Sequence, residues 1–139
     1  MDEQAARDFF EQALAEEAPE FERFFLSRFF GLRFDYRDDE TLRIDLPVRD
    51  FMFNPRDSLH GGVAMFVFDI SMGHLCYHFL SRTVTLEMRT QFFRHITGDC
   101  YFVSNFLKKG RTIVAAEARL YDADDRLAAH SSGTFYRTE

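Results

Sequence analysis

The sequence predicts an α+β fold in which an antiparallel sheet wraps around one long helix. Three observations carry this expectation. Residues Gly61 to about Phe79 form a helical stretch that is apolar nearly all round, the pattern of a helix enclosed by other structure. Four strand-like segments follow it: Thr83–Arg94, Asp99–Lys108, Thr112–Asp122 and Leu127–Arg137. Ahead of it, Leu42, Ile44, Leu46 and Val48 alternate with Arg43, Asp45 and Pro47, the period of a half-buried strand. Short connections favour antiparallel neighbours, so the last four segments are expected to form a meander.

In chain order, residues 2 to about 17 are expected to be helical, because Ala6, Phe9, Phe10, Ala13 and Leu14 recur at helical spacing with acids between them. Pro19 interrupts that pattern and suits the first turn of a second helix, whose apolar stripe is Phe21, Phe24, Phe25 and Phe29. Eight of the 18 phenylalanines fall within the first 34 residues. These rings would pack an amphipathic hairpin on the core, line an apolar ligand pocket or form an oligomer contact. Asp38-Asp39-Glu40 reads as a hairpin turn before the first clear strand. Pro47 places that strand at its end or at a sheet edge. Phe51 to Leu59, with Asn54-Pro55 inside it, reads as a loop.

A chain of 139 residues suits one domain and buries roughly two thirds of its unfolded surface. The formal net charge of −6 argues against nucleic acid as a partner, since a phosphate backbone requires a basic surface. Cys76 and Cys100 lack CxxC spacing and are expected as buried free thiols in a reducing compartment, with a single structural disulfide as the alternative. The N-terminal MDEQAARD has no basic n-region followed by an apolar h-region. No apolar run approaches the ~20 residues that span a bilayer. A cytoplasmic protein without a membrane partner is expected.

The chemistry concentrates in Asn54–His78, NPRDSLHGGVAMFVFDISMGHLCYH. Gly61-Gly62 open the long helix, and glycine lets a ligand approach the backbone. A helix start offers unpaired N–H groups and a positive dipole end, suited to a carbonyl that becomes negative in a transition state. The plainer reading is a tight loop-to-helix turn. Asp69 lies between Phe68 and Ile70, where an unpaired buried carboxylate is costly and where a functional role is a standing explanation. The alternative is a structural acid bonded to a backbone group or an arginine. Gly62 and Asp69 are seven residues apart, ~10 Å along a helix axis. One chain therefore does not bring both to one reacting atom. Two antiparallel copies of the helix, related by a two-fold axis, would.

These residues resemble the hotdog-fold acyl-CoA thioesterases of the PaaI-like group. The resemblance rests on Asn54, then Leu59-His60-Gly61-Gly62, then Asp69 nine positions after His60. Val84-Thr85-Leu86-Glu87-Met88 resembles the group's next strand. Gly110-Arg111-Thr112 through Ser132-Gly133-Thr134-Phe135 resembles its final hairpin. The match covers roughly residues 35–136. It implies a single hotdog domain over 1–139, with residues 1–31 as a helical extension and 60–79 as the central helix.

The resemblance implies hydrolysis of an acyl-CoA or related thioester. Asp69 would be general base or nucleophile. The Gly62 N–H would polarise the carbonyl, with His60 and Asn54 orienting it. Thr85 would position water beside Asp69. Asn54, His60 and Gly62 would come from one subunit of a homodimer or tetramer, and Asp69 and Thr85 from another. Gly61, Phe66 and Arg111 would contact substrate, Arg111 at the nucleotide part. No cofactor is implied, because coenzyme A enters as part of the substrate. The chain departs from the group at Arg94-His95 and at Asp124-Asp125-Arg126.

Other constellations are thinner. His74 and His78 are four apart, as in many zinc sites, but no third ligand or HExxH glutamate accompanies them. Complementing the dipole near the helix C-terminus is their plainer role. Ser58 and Ser71 lack a GxSxG context. Lys108-Lys109-Gly110-Arg111 reads as a solvated hairpin tip, with contact to CoA phosphates as the alternative. The competing functional classes are a non-catalytic acyl-CoA sensor using the same pocket, and a hotdog dehydratase, whose histidine-plus-acid arrangement is not evident.

Overall fold

A computed structural model describes all 139 residues. Its element order is α1 (Glu3–Glu16), α2 (Phe25–Phe29), β1 (Arg33–Arg37), β2 (Thr41–Leu46), α3 (Gly61–Phe79), β3 (Thr83–Phe92), β4 (Cys100–Lys109), β5 (Ile113–Tyr121) and β6 (Leu127–Arg137). The six strands form one antiparallel sheet in the order β1-β2-β4-β5-β6-β3. Helix α3 packs on one face of this sheet, with Val67, Phe68, Met72 and Leu75 fully buried. The inward positions of β2 are Leu42, Ile44 and Leu46, and those of β5 are Val114, Ala116, Ala118 and Leu120. Each set follows the two-residue period of a sheet with one covered face.

The expected four-strand meander is corrected in one respect. Strands β4, β5 and β6 do form a meander, but β3 pairs with β6 at the far edge, for example Val84 with Tyr136 and Gln91 with His130. Three strand spacings separate β3 from β4, about 14 Å. The seven residues of Phe93–Asp99 reach that far in an extended path, at about 3.3 Å each. Their length suited a hairpin equally well. The placement leaves β1 and β3 as the two open edges.

The second helix is shorter than its phenylalanine stripe suggests. Only Phe25–Phe29 is helical. Glu22 holds a left-handed φ of 74°, and the Ala18 N–H donates to the Arg23 carbonyl at 2.9 Å. Residues 19–23 are thus a turn. Gly31 follows α2 at φ 65°, a conformation glycine adopts without strain. The α1–α2 unit is fixed to the body by edge-on ring contacts, Phe9 with Phe51 at 5.4 Å and Phe29 with Phe51 at 5.3 Å. The Asp2 backbone N–H adds a 2.8 Å bond to the Asp50 carboxylate.

Four of the lesser candidate residues resolve here. Cys76 and Cys100 are buried free thiols, pushed up to about 11 and about 12 by burial. His74 does not complement the helix end. It is 3% exposed, stacked on Phe34 at 5.0 Å and met edge-on by Phe21 at 4.8 Å. His78 is exposed and stacks on Tyr36 at 4.0 Å. The two imidazoles lie against different rings.

Two predictions follow from this packing. Phe68 is fully buried, edge-on to Phe102 at 4.9 Å, so Phe68→Ala is expected to cost roughly 3–5 kcal/mol in urea unfolding. Burial lowers His74 from 6.5 to about 4. The unfolded chain therefore binds the proton first as pH falls, so His74's contribution to stability is present above pH 6.5 and is lost between 6.5 and 4. At full extent the loss is roughly 3 kcal/mol. His74→Phe should flatten the pH dependence of urea stability in that window, and a slope unchanged by the substitution would contradict the assignment.

Candidate active site

Helix α3 carries two separate sets of polar groups. At its start, His60 is the N-cap residue, and its Nδ1 accepts the Gly62 N–H at 2.8 Å. The Val63 N–H donates to the His60 carbonyl at 2.9 Å. The Gly61 N–H, one of the unpaired donors that every helix start leaves, has no acceptor within the chain. The Gly62 N–H, which the sequence suggested as the donor to a carbonyl, is thus already engaged, and Gly61 offers the open one.

Upstream, Asn54 organises the loop that delivers the helix start. Its Oδ1 accepts the Arg56 N–H at 2.8 Å and its Nδ2 lies 3.2 Å from Ser58 Oγ. This is the self-bonded turn that asparagine favours. Asn54 and Gly61 line one cleft of about 190 Å³ together with Phe92, Arg94 and His95. Phe92, Arg94 and His95 were not assigned to a site from the sequence, because they sit at the end of β3 and just beyond it. Only the pairing of β3 as an edge strand turns them toward the helix start.

Asp69 faces a different cleft, of about 330 Å³. It is half-buried rather than enclosed, and it is not unpaired. The Thr85 hydroxyl donates to Asp69 Oδ1 at 2.6 Å, while Oδ2 makes no hydrogen bond within the chain. The pairing of Asp69 with Thr85, on two different elements, is therefore present. A bulge in β3 between Thr85 and Glu87 breaks the register immediately beyond Thr85; bulges commonly re-aim a neighbouring side chain. The rest of this cleft comes from Ile70, Gly73 and His74 on α3 and from Phe21 and Phe24 in the N-terminal turn. Gly73, four residues beyond Asp69, was the available signal for this opening: a Cβ built there meets nothing within 4 Å.

Two expected contacts lie elsewhere. Phe66 packs among rings, 5.3 Å from Phe30 and 6.5 Å from Phe24, and lines neither cleft. Arg111 sits exposed in the turn between β4 and β5, also outside both. Neighbouring Lys109 is taken up by an ion pair with Glu40 at 2.7 Å.

The chain has recognisable relatives. The family model of the thioesterase superfamily matches residues 57–129. Ta0293 of Thermoplasma acidophilum, named as a candidate esterase, is 27% identical over 104 residues, covering 73% of this chain and 79% of that one. Among solved structures, the BH2602 protein of Bacillus halodurans, determined with CoA, superposes with a TM-score of 0.89 at 18% identity, over 99% of this chain and 94% of that one. The E. coli PaaI protein from the phenylacetic acid degradation operon superposes with a TM-score of 0.81 at 15% identity, over 94% and 96%. The match spans more than half the chain, including the whole of α3 and β3, and the solved structures share the fold; the chain belongs to the thioesterase superfamily and has the hotdog fold.

Proposed function

We propose that the protein is an acyl-CoA thioesterase whose active site is completed by a second copy of the chain. The single observation that supports this most strongly is the Asp69–Thr85 pair at 2.6 Å, which leaves the second carboxylate oxygen without a hydrogen bond on a residue that lines the larger cleft. That oxygen would take a proton from water as the water attacks the thioester carbonyl carbon, or would itself attack the carbon. Negative charge then develops on the carbonyl oxygen. The open Gly61 N–H would stabilise it at the helix start, and the Gly62 N–H would join if the His60 ring turned away. Collapse of the tetrahedral species breaks the C–S bond and releases the coenzyme A thiolate, which is protonated. In the nucleophilic route, water then hydrolyses the Asp69 anhydride. No resident cofactor enters either route.

Geometry within one chain keeps the two sets apart. Gly61 and Asp69 are eight residues apart on a continuous helix, ~12 Å along its axis, and they open on different clefts. The two sheet edges differ in a way that favours one mode of pairing. The β1 edge alternates exposed Arg33, Asp35 and Arg37, charges that discourage strand addition. The β3 edge carries exposed Glu87, Arg89 and Gln91 but also Val84 and Leu86, each exposed by about half, with Phe92 and Phe93 at its end. Antiparallel pairing of two β3 strands would cover these side chains. It would also set the α3 helices antiparallel, bringing Asp69 and Thr85 of one subunit to Asn54, His60 and Gly61 of the other. Nothing in the geometry favours the dehydratase reading, and the sensor reading differs only in lacking turnover.

Thiol release from a panel of acyl-CoAs tests the reading directly. Wild type should release thiol. A folded Asp69→Asn variant should lose about 10²–10⁴-fold in kcat, the size of a general-base contribution, while still binding CoA in calorimetry. Thr85→Val should lose less than Asp69→Asn. Equal turnover by wild type and Asp69→Asn would remove Asp69 from the mechanism, and tight binding without thiol release would favour the sensor.

A further inference from the structure

On the outward face of the sheet, an acid and an arginine set two residues apart on one strand close on each other wherever the strand is β1, β2 or β5. Asp35–Arg37 meet at 3.2 Å, Arg43–Asp45 at 2.9 Å and Glu117–Arg119 at 2.9 Å. Glu87 and Arg89 on β3 have the same spacing and are not closed. Both are exposed, and neither enters an ion pair within the chain. Glu87 takes only the Thr134 hydroxyl, at 3.3 Å, which leaves its charge uncompensated. The two face outward, Glu87 beside Thr134 and Arg89 beside Ser132, while Met88 between them turns inward onto the core. They sit midway along an edge strand that has no neighbour on its other side.

We propose that Glu87 and Arg89 are positioning residues: in a dimer joined through β3, each pairs with its counterpart on the second copy, and these two crossed ion pairs set the register that assembles the composite site. The proposal rests on the β3 pairing of the thioesterase reading. Two strands related by a two-fold axis run antiparallel, and the residue on the axis faces itself. Centred on Glu87 or on Arg89, the register opposes like charges, which destabilises a strand pair. Centred on Thr90, it sets Glu87 against the partner's Phe93 and Arg89 against the partner's Gln91. Centred on Met88, it sets Glu87 against the partner's Arg89 on both sides of the axis, and opposed unlike charges stabilise. The same register serves the chemistry. With the bulge residue Leu86 passed over, as it is in the pairing with β6, Thr85 faces the partner's Thr90. Thr85, with Asp69 bonded to it, then lies two residues from the partner's Phe92, about 7 Å along the strand. Phe92 is the ring that lies against the helix start, 3.5 Å from a Cβ built on Gly61. A water and a thioester carbonyl span such a gap. Centred on Glu87, the gap is four residues, about 13 Å.

Disulfide trapping reads the register without reference to activity. Both native cysteines are buried. Under mild oxidation, Glu87→Cys and Arg89→Cys proteins, co-expressed, should form a covalent dimer. Neither alone should, because identical residues are then diagonal neighbours about 7–8 Å apart, beyond disulfide reach. Trapping by either variant alone, or none in the mixture, overturns the proposal. Charge exchange tests the pairs themselves. Glu87→Lys and Arg89→Glu should each weaken the dimer about tenfold or more at low salt, read by sedimentation, and lower thiol release at dilute protein in step. Mixing the two variants should restore both readouts, since the heterodimer opposes unlike charges at each pair, and so should the double variant E87K/R89E. Loss without rescue by mixing overturns the proposal, because a purely local role is not repaired by a partner chain. If a charge variant fails to fold, the cysteine pair decides. Trapping as expected with no thiol release from any acyl-CoA refutes the hydrolase and leaves this interface standing. Thiol release by wild type with no trapping in the mixture does the reverse.

Discussion

The constraint on which the rest depends is the rigid rise of α3. A helix advances about 1.5 Å per residue, and α3 is continuous from Gly61 to Phe79, so the distance from its first open N–H to Asp69 cannot be shortened by side-chain motion. The sheet covers one face of α3 and the N-terminal rings another. What remains accessible is the helix start on one side and the Asp69 face on the other, each in its own cleft. A catalytic scheme that needs an electrophile-stabilising N–H and a carboxylate at one carbonyl must then draw them from two helices. The exposed Val84, Leu86 and Phe92 of the β3 edge fit the same arrangement.

Much of the architecture was legible in the sequence because burial leaves a period in it. The bounds of α3 follow from an apolar run that starts at a glycine pair and stops where β-branched alternation resumes. The segments of β4, β5 and β6 follow from alternation punctuated by Lys109-Gly110-Arg111 and Asp122–Arg126. What the pattern did not contain was adjacency. Alternation says that a strand has a covered face, and connection length says how far the chain travels at most; neither told that β3 crosses to pair with β6. The phenylalanine stripe from Phe21 to Phe29 misled for a related reason. Apolar spacing does not register a left-handed residue such as Glu22, and the turn it makes is what points Phe21 and Phe24 at the cleft.

At the site, types and spacings were legible and states were not. The spacing of Asn54, His60, Gly61, Gly62 and Asp69 put the helix start and the carboxylate too far apart to meet at one atom within one chain. That Asp69 is half-buried and bonded to Thr85, that His60 occupies the Gly62 N–H and that His74 is enclosed by rings all depend on side-chain packing across elements distant in sequence. The cleft wall has a further implication. Phe21 and Phe24 lie outside residues 57–129, the stretch that matches the family. The groups that would perform the chemistry thus sit in the shared part of the fold, whereas much of the surface that would meet the acyl group belongs to the N-terminal extension. On the proposed reading, the N-terminal extension would thus add to an acyl surface that the shared part of the fold begins with Ile70 and Gly73.

The central claim, that each active site takes Asp69 from one chain and the helix start from another, is tested most directly by subunit complementation. Gly61→Pro removes the open N–H at a position where proline is tolerated, the first residue of a helix; His60 already has the extended backbone, φ −62° and ψ 131°, that must precede it. Asp69→Asn and Gly61→Pro homo-oligomers should each be inactive. Co-expressed at equal levels and purified through two different tags, the mixed dimers should regain activity, because one of their two sites is intact in every part. That corresponds to about half the wild-type turnover per dimer. Mixed dimers as inactive as either parent would contradict the composite site and place the whole reaction within one chain.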